Sequence, residues 1–255
     1  MIQAVTENTD FAGAIRAFSA LDPFACRILS LYQSYRPELV FVDYWLQLDD
    51  ENGAVTGAVA RNGSNFILFL TDKSDLGEVS SFVRVGGAAG VICSGSYDLD
   101  LNMKMTTGAV LVRNTPFEED TGHSFVMPDL RAAYDLIFGC ADENFRPPAF
   151  DDFYVDVNHK LRHKAARICG IEKDGRLAAL AMTVAESDDG AVLGAVACEQ
   201  EFRRSGLASA VVKHITNSLI VEGKNVFLHR AKNANVSFYS GLGFSECGTW
   251  REYIL

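Results

Sequence analysis

The chain has 255 residues, 48% hydrophobic and 22% charged, with a formal net charge of -10. That composition belongs to a folded globular protein with material for one large domain or two ordinary ones, and it excludes a disordered chain. So acidic a molecule is a poor partner for nucleic acid, which is bound through lysine and arginine contacts to phosphate. Residues 1–10 show neither a basic leader nor an apolar stretch of secretory type, and the longest apolar run, 177–185, is far short of a membrane span. The expectation is no membrane association. Cysteines stand at 26, 93, 140, 169, 198 and 247 with no C-x-x-C spacing, which predicts reduced thiols and a cytoplasmic location.

In chain order, residues 11–35 carry two helical patterns, the second opened by Asp22-Pro23 as N-cap and first helical residue. Residues 39–48 alternate as a strand, and Asn52-Gly53 supplies a hairpin turn into strands at 54–60 and 65–70. After Thr71-Asp-Lys-Ser-Asp75 come a helix to Val85 and a short strand at 90–93. Residues 95–127 have weak signals: a strand at 110–113, then a loop or linker at 114–122. The domain boundary is expected there, giving units of 1–125 and 126–255.

The second unit opens with Asp129 capping a helix whose Leu130, Ala133, Tyr134, Ile137, Phe138 and Ala141 share one face. Pro147-Pro148 closes it, and Phe150, Phe153, Tyr154, Val157 and Leu161 stripe a second helix. Strands at 167–172, 177–187 and 191–198 are joined by turns ending in Asp174-Gly175 and Asp189-Gly190, so they pair antiparallel. A helix from Gly206 turns Leu207, Val211, Ile215 and Leu219 inward and is closed by Gly223. The strand at 225–230 then returns parallel to 191–198, as a strand–helix–strand crossover requires. The order strand, strand, strand, loop, helix, strand occurs in both halves, which suggests a degenerate duplication.

Chemistry concentrates at Arg203-Arg-Ser-Gly206-Leu-Ala208. A glycine lets backbone approach a ligand, and the free N–H groups of a helix's first turn, with the macrodipole, make a site for phosphate. In isolation the hexapeptide is a solvated basic loop; its weight comes from the strand before it, the helix after it and the later Phe238-Tyr-Ser-Gly-Leu-Gly-Phe244. Together these resemble the acetyl-CoA-binding core of the GCN5-related N-acetyltransferases (GNATs), with its Q/R-x-x-G-x-G/A loop and later F/L-Y-x-x-x-G-F segment. The resemblance covers roughly residues 126–255.

The resemblance implies an α/β fold with a mixed sheet, GNAT-type in the second half and of related topology in the first. It implies an enzyme that moves acetyl from acetyl-CoA to a primary amine on a small molecule or peptide, by direct attack in a ternary complex. A non-catalytic acyl-CoA-binding or regulatory module is the alternative, and a homodimer is left open. The pyrophosphate would lie on the backbone of Arg204, Ser205, Gly206, Leu207 and Ala208, with the Ser209 hydroxyl and the positive charge of Arg203 and Arg204. Val196, Ala197 and Cys198 would pair with the pantetheine arm.

Tyr239 matches the family tyrosine that protonates the departing CoA thiolate or hydrogen-bonds its sulfur, a task suited to a phenol that is neutral at physiological pH. The family's CoA-contacting asparagine falls on Lys232, so Asn233 and Asn235 beside it are the candidates. For the general base, Val192 stands where some relatives have glutamate; Glu199 is the candidate instead. Cys198 admits an acyl-cysteine reading, but a small buried apolar residue is the better one. His159 and His163 have metal-site spacing, but Lys160, Arg162 and Lys164 oppose a cation, so no metal is expected. That basic cluster, extended by Arg167, reads as a solvated helix face. In the first half, Thr71-Asp-Lys-Ser-Asp75 replaces the phosphate loop with two carboxylates, which would repel a pyrophosphate.

Overall fold

The computed structural model describes residues 1–118, 122–142 and 145–255. The loop expected at 114–122 therefore lies partly outside the described residues. In the first half, β1 (Ile2–Ala4), α1 (Phe11–Ser19), α2 (Pro23–Ser34), β2 (Val42–Leu48), β3 (Val55–Asn62), β4 (Asn65–Leu70), α3 (Leu76–Val85), β5 (Gly90–Ser94) and β6 (Lys104–Arg113) follow in turn. The second half supplies α4 (Leu130–Gly139), α5 (Phe150–Arg162), β7 (Ile168–Lys173), β8 (Arg176–Glu186), β9 (Gly190–Cys198), α6 (Leu207–Val221), β10 (Asn225–Ala231), α7 (Val236–Gly241) and β11 (Ser245–Ile254).

All the strands join one 11-stranded mixed sheet in the order β1-β2-β3-β4-β5-β11-β6-β10-β9-β8-β7. Each half therefore lends its last strand to the other. β6 pairs antiparallel with β10, from Val226↔Arg113 to Ala231↔Gly108, and places Ala109 and Leu111 in the core beneath α6. β11 pairs antiparallel with β5, from Trp250↔Ser94 to Ile254↔Gly90, and places Tyr253 in the core of β4 and α3. The exchanged strands also pair with each other along their length.

Sequence reasoning did not foresee β1 or β11, and it started β6 at Val110 where the strand begins at Lys104. The missed segments carry few apolar residues and owe their conformation to distant partners.

Helix α2 is the central pillar. Asp22 caps it through the amides of Phe24 and Ala25, with Pro23 preset for the first turn, and nine of its 12 residues are buried. It belongs to the first half yet also packs on β8 and β9. Ser30 Oγ accepts the amide of Glu186 (3.0 Å), and Ser34 O accepts from His159 Nε2 (2.7 Å). Tyr35 stacks on the His159 ring at 4.3 Å and donates to Asp156. The buried Glu186 carboxylate receives Arg167 (2.7 Å), Lys224 (3.1 Å) and the Thr183 hydroxyl (2.8 Å). Arg167 also pairs with Glu222, so it braces the fold instead of extending a solvated basic face.

Candidate active site

The site begins where two parallel strands part. β9 and β10 are paired from Asn225↔Gly190 to Leu228↔Leu193. Beyond that, β9 stays with β8 through Ala179↔Cys198, and β10 stays with β6 through Ala231↔Gly108, so their facing edges separate. The local cause is a bulge: Leu193 lies opposite Thr183 but Val196 opposite Ala181, which inserts one extra residue into β9 and bends it. Gly194 sits in the bulge, and a Cβ there would meet Val184 Cγ1 at 2.1 Å. Only glycine fits.

β9 runs into a short turn at Gln200–Phe202, after which Arg204 (φ 63) and Gly206 (φ 90) adopt left-handed backbone before α6 starts. A side chain at Gly206 would be strained, and as the N-cap it contributes no capping group. The first helical bond runs from the Ala210 amide to Gly206 O (2.9 Å). Among the described residues, the amides of Leu207, Ala208 and Ser209 have no acceptor. With the helix dipole they form a concavity suited to an anion.

The end of β9 and the start of α6 line one cavity of about 720 Å³, a volume suited to a cofactor or substrate. Of the residues singled out in the sequence, Val196, Ala197, Cys198, Arg203, Arg204, Gly206, Leu207, Ala208, Ser209, Asn235 and Tyr239 line it. Ser205 and Asn233 do not; the Ser205 hydroxyl donates to Phe202 O. Asn235 is the N-cap residue of α7, without a side-chain capping bond. Glu199 also stands outside the cavity, its amide held by Ala178 O, and Glu201 pairs with Arg176. Sequence reasoning missed the opposite wall, Gly139 to Asp142 at the end of α4, together with Phe202 and Phe238.

Tyr239 is held edge-on between Phe238 (5.0 Å) and Phe244 (6.0 Å). Burial pushes its phenol up to about 12, so it stays protonated through the physiological range. Among the described residues its hydroxyl has no hydrogen-bond partner, and the residue lines the cavity. Burial and the neighbouring Cys140 also raise the Cys198 thiol, against the opposing pull of Arg203. A raised thiol is a poor nucleophile, which favours the apolar role for Cys198. Arg203 Nε donates to Cys198 O at 3.3 Å and Cys140 Sγ does so at 3.5 Å, so side chains cap the last carbonyl of β9.

The matching place in the first half is filled from within. The Asp75 carboxylate accepts the Glu78 amide at the start of α3, Gln47 bridges the Asp75 amide and carbonyl, and Ser74 and Thr71 hydroxyls close on Thr56 O. The helix end that would take a phosphate already holds a carboxylate.

Residues 168–254 match the family described as FR47-like protein. The tandem GNAT protein from the clavulanic acid biosynthesis pathway superposes with a TM-score of 0.60 at 13% identity, covering 99% of this chain and 97% of that one. The fold is that of a tandem GCN5-related N-acetyltransferase. A GCN5-related N-acetyltransferase from Sphaerobacter thermophilus gives a TM-score of 0.60 at 14% identity, over 99% of this chain and 94% of that one. A Drosophila protein gives 0.62 at 8%, over 99% and 98%. No curated protein matches the sequence significantly. The GNAT fold thus spans both halves. Among the described residues no helix is long and apolar enough to cross a membrane, and no cluster of residues suits a metal ion. His159 and His163 stack on one another at 4.1 Å.

Proposed function

We propose that this chain is an N-acetyltransferase that moves acetyl from acetyl-CoA to the primary amine of an acceptor, by direct attack within a ternary complex. One observation carries the reading: the end of β9 beyond its last pair with β10, the free amides at the start of α6 and Tyr239 all meet at a single cavity. Acetyl-CoA, when bound, supplies an activated thioester.

The residues present fit it. The amides of Leu207, Ala208 and Ser209 hold the diphosphate, and the guanidinium groups of Arg203 and Arg204 add charge. Val196 to Cys198 offer a strand edge to the amide links of the pantetheine arm, which requires Arg203 to leave the Cys198 carbonyl. Tyr239 donates its proton to the departing sulfur, and its raised pKa keeps that proton in place until the thiolate forms. The reaction belongs in the cytoplasm, where the six free cysteines stay reduced.

Calorimetry with CoA and acetyl-transfer assays over an amine panel test this. Tyr239→Phe is expected to leave CoA affinity within about threefold and to lower kcat by about a hundredfold, the usual scale for a lost general acid. Absence of CoA binding refutes the reading. A second reading, a CoA-binding module without turnover, draws on the position of Glu199 outside the cavity. It predicts CoA binding with no transfer to any amine, indifferent to Tyr239→Phe.

A further inference from the structure

A second cavity, of about 220 Å³, lies behind the bulge of β9. Its walls are almost wholly apolar: Phe145 and Pro148 from the α4–α5 connection, Phe153 and Val157 from α5, Met182 from β8 and Ala195 from β9. We propose that it receives the body of the acyl acceptor, a primary amine carrying an apolar group of about the size of a phenyl ring. This rests on the acetyltransferase reading and names its substrate class.

Three observations support it. The first is position: Ala195 lines this cavity and Ala197, next along the same face of β9, lines the larger one, so an occupant lies two residues along the strand from the edge offered to the thioester arm. Residues two apart on a strand share a face and lie about 6.6 Å apart along it, so an amine two or three bonds beyond an apolar group reaches that edge. The second is size: an apolar cavity of roughly 150 Å³ already admits benzene, so this one takes a ring with a short tether and no more.

The third is charge. Lys160, the one cation lining the cavity among the described residues, is committed to Asp156 (2.8 Å) and to Val184 O (3.3 Å), and Asp156 also accepts from Tyr35. Asp152, exposed in the first turn of α5, lines the same cavity and has no partner among the described residues. An apolar chamber with an uncompensated carboxylate at its exposed side suits an alkylammonium and opposes a carboxylate or phosphate ester. The same charge disfavours the other apolar candidate, a long acyl chain, which has nothing for Asp152 to recognise.

The test titrates the full chain, saturated with CoA, against phenethylamine and ethylamine by calorimetry, and measures acetyl transfer to both. Burying a ring is worth about 1.5–3 kcal/mol, so phenethylamine is expected to bind about ten- to a hundredfold more tightly, with kcat/KM raised in proportion. Ala195→Phe fills the cavity and is expected to remove that preference while leaving CoA affinity unchanged. Asp152→Asn, a surface change that keeps the fold, is expected to weaken both amines about threefold. Equal affinities for the two amines overturn the proposal, as does a preference that survives Ala195→Phe. A gain for hexanoyl-CoA over acetyl-CoA that Ala195→Phe abolishes also overturns it, by assigning the cavity to the acyl group. Failure of CoA to bind at all sinks the acetyltransferase reading itself; CoA binding with indifferent amines sinks only the acceptor assignment.

Discussion

Mild acid is expected to destabilise this protein through one histidine. His229 lies on β10 one residue past its last pair with β9, its ring 5.2 Å from Phe24 and 6.4 Å from Trp250. Arg27 Nη1 approaches Nδ1 at 3.5 Å, and since a guanidinium only donates, Nδ1 accepts and Nε2 carries the proton. Nε2 is buried without a partner among the described residues. Burial first, and the Arg27 charge second, lower the imidazole from 6.5 to about 3.

The unfolded chain therefore takes up a proton that the folded chain refuses, and stability falls as the pH drops below the unfolded value. Near pH 5 that imbalance amounts to about 2 kcal/mol relative to neutrality, worth roughly 5 °C in Tm for a chain of this size. Urea unfolding at about pH 7 and pH 5, for the wild type and His229→Gln, measures it, the difference between the two losses being about 2 kcal/mol. His214, also lowered by burial, leaves the variant a residual slope of the same sign. An imidazole resonance of His229 that titrates near pH 6, or identical acid losses in the two proteins, refutes the argument.

Three further outcomes are expected. Glu186→Ala strips Arg167 and Lys224 of the carboxylate they share, with Glu222 left as their remaining partner, and is expected to cost about 3–5 kcal/mol by chemical denaturation. Gly194→Val drives a branched side chain into Val184; straightening of the bulge should abolish CoA binding in calorimetry, while circular dichroism stays that of a folded protein. Cys198→Ala is expected to keep kcat within about twofold in the transfer assay, because a thiol raised by burial takes no covalent part.

What the sequence disclosed was local. The α6 stripe of Leu207, Val211, Ile215 and Leu219, the turns at Gly175 and Gly190 and the break at Gly206 all depend on neighbouring residues, and each stands where periodicity put it. β11 depends on none. Its apolar positions are few, and its partners are β5 and β6, well over 100 residues earlier in the chain, so no short window reports it. The candidate site divides the same way. The phosphate loop and Tyr239 were legible because a motif fixes them to a helix start; the Gly139–Asp142 wall was not, because only the packing of α4 on β8 and β9 brings it there. Glu199 shows the remaining limit: its place at a strand's end was readable, but not the direction of its side chain.

The exchange of β6 and β11 also bears on how the chain is made. β11, synthesised some 150 residues after β5, completes the sheet of the half that was synthesised first, so that half waits with the edge of β5 open. A nascent chain halted before Ser245 lacks a strand between β5 and β6 and exposes both to other chains. Closure of the first half's sheet thereby waits for β11, and a truncation that removes β11 acts on the first half of the molecule.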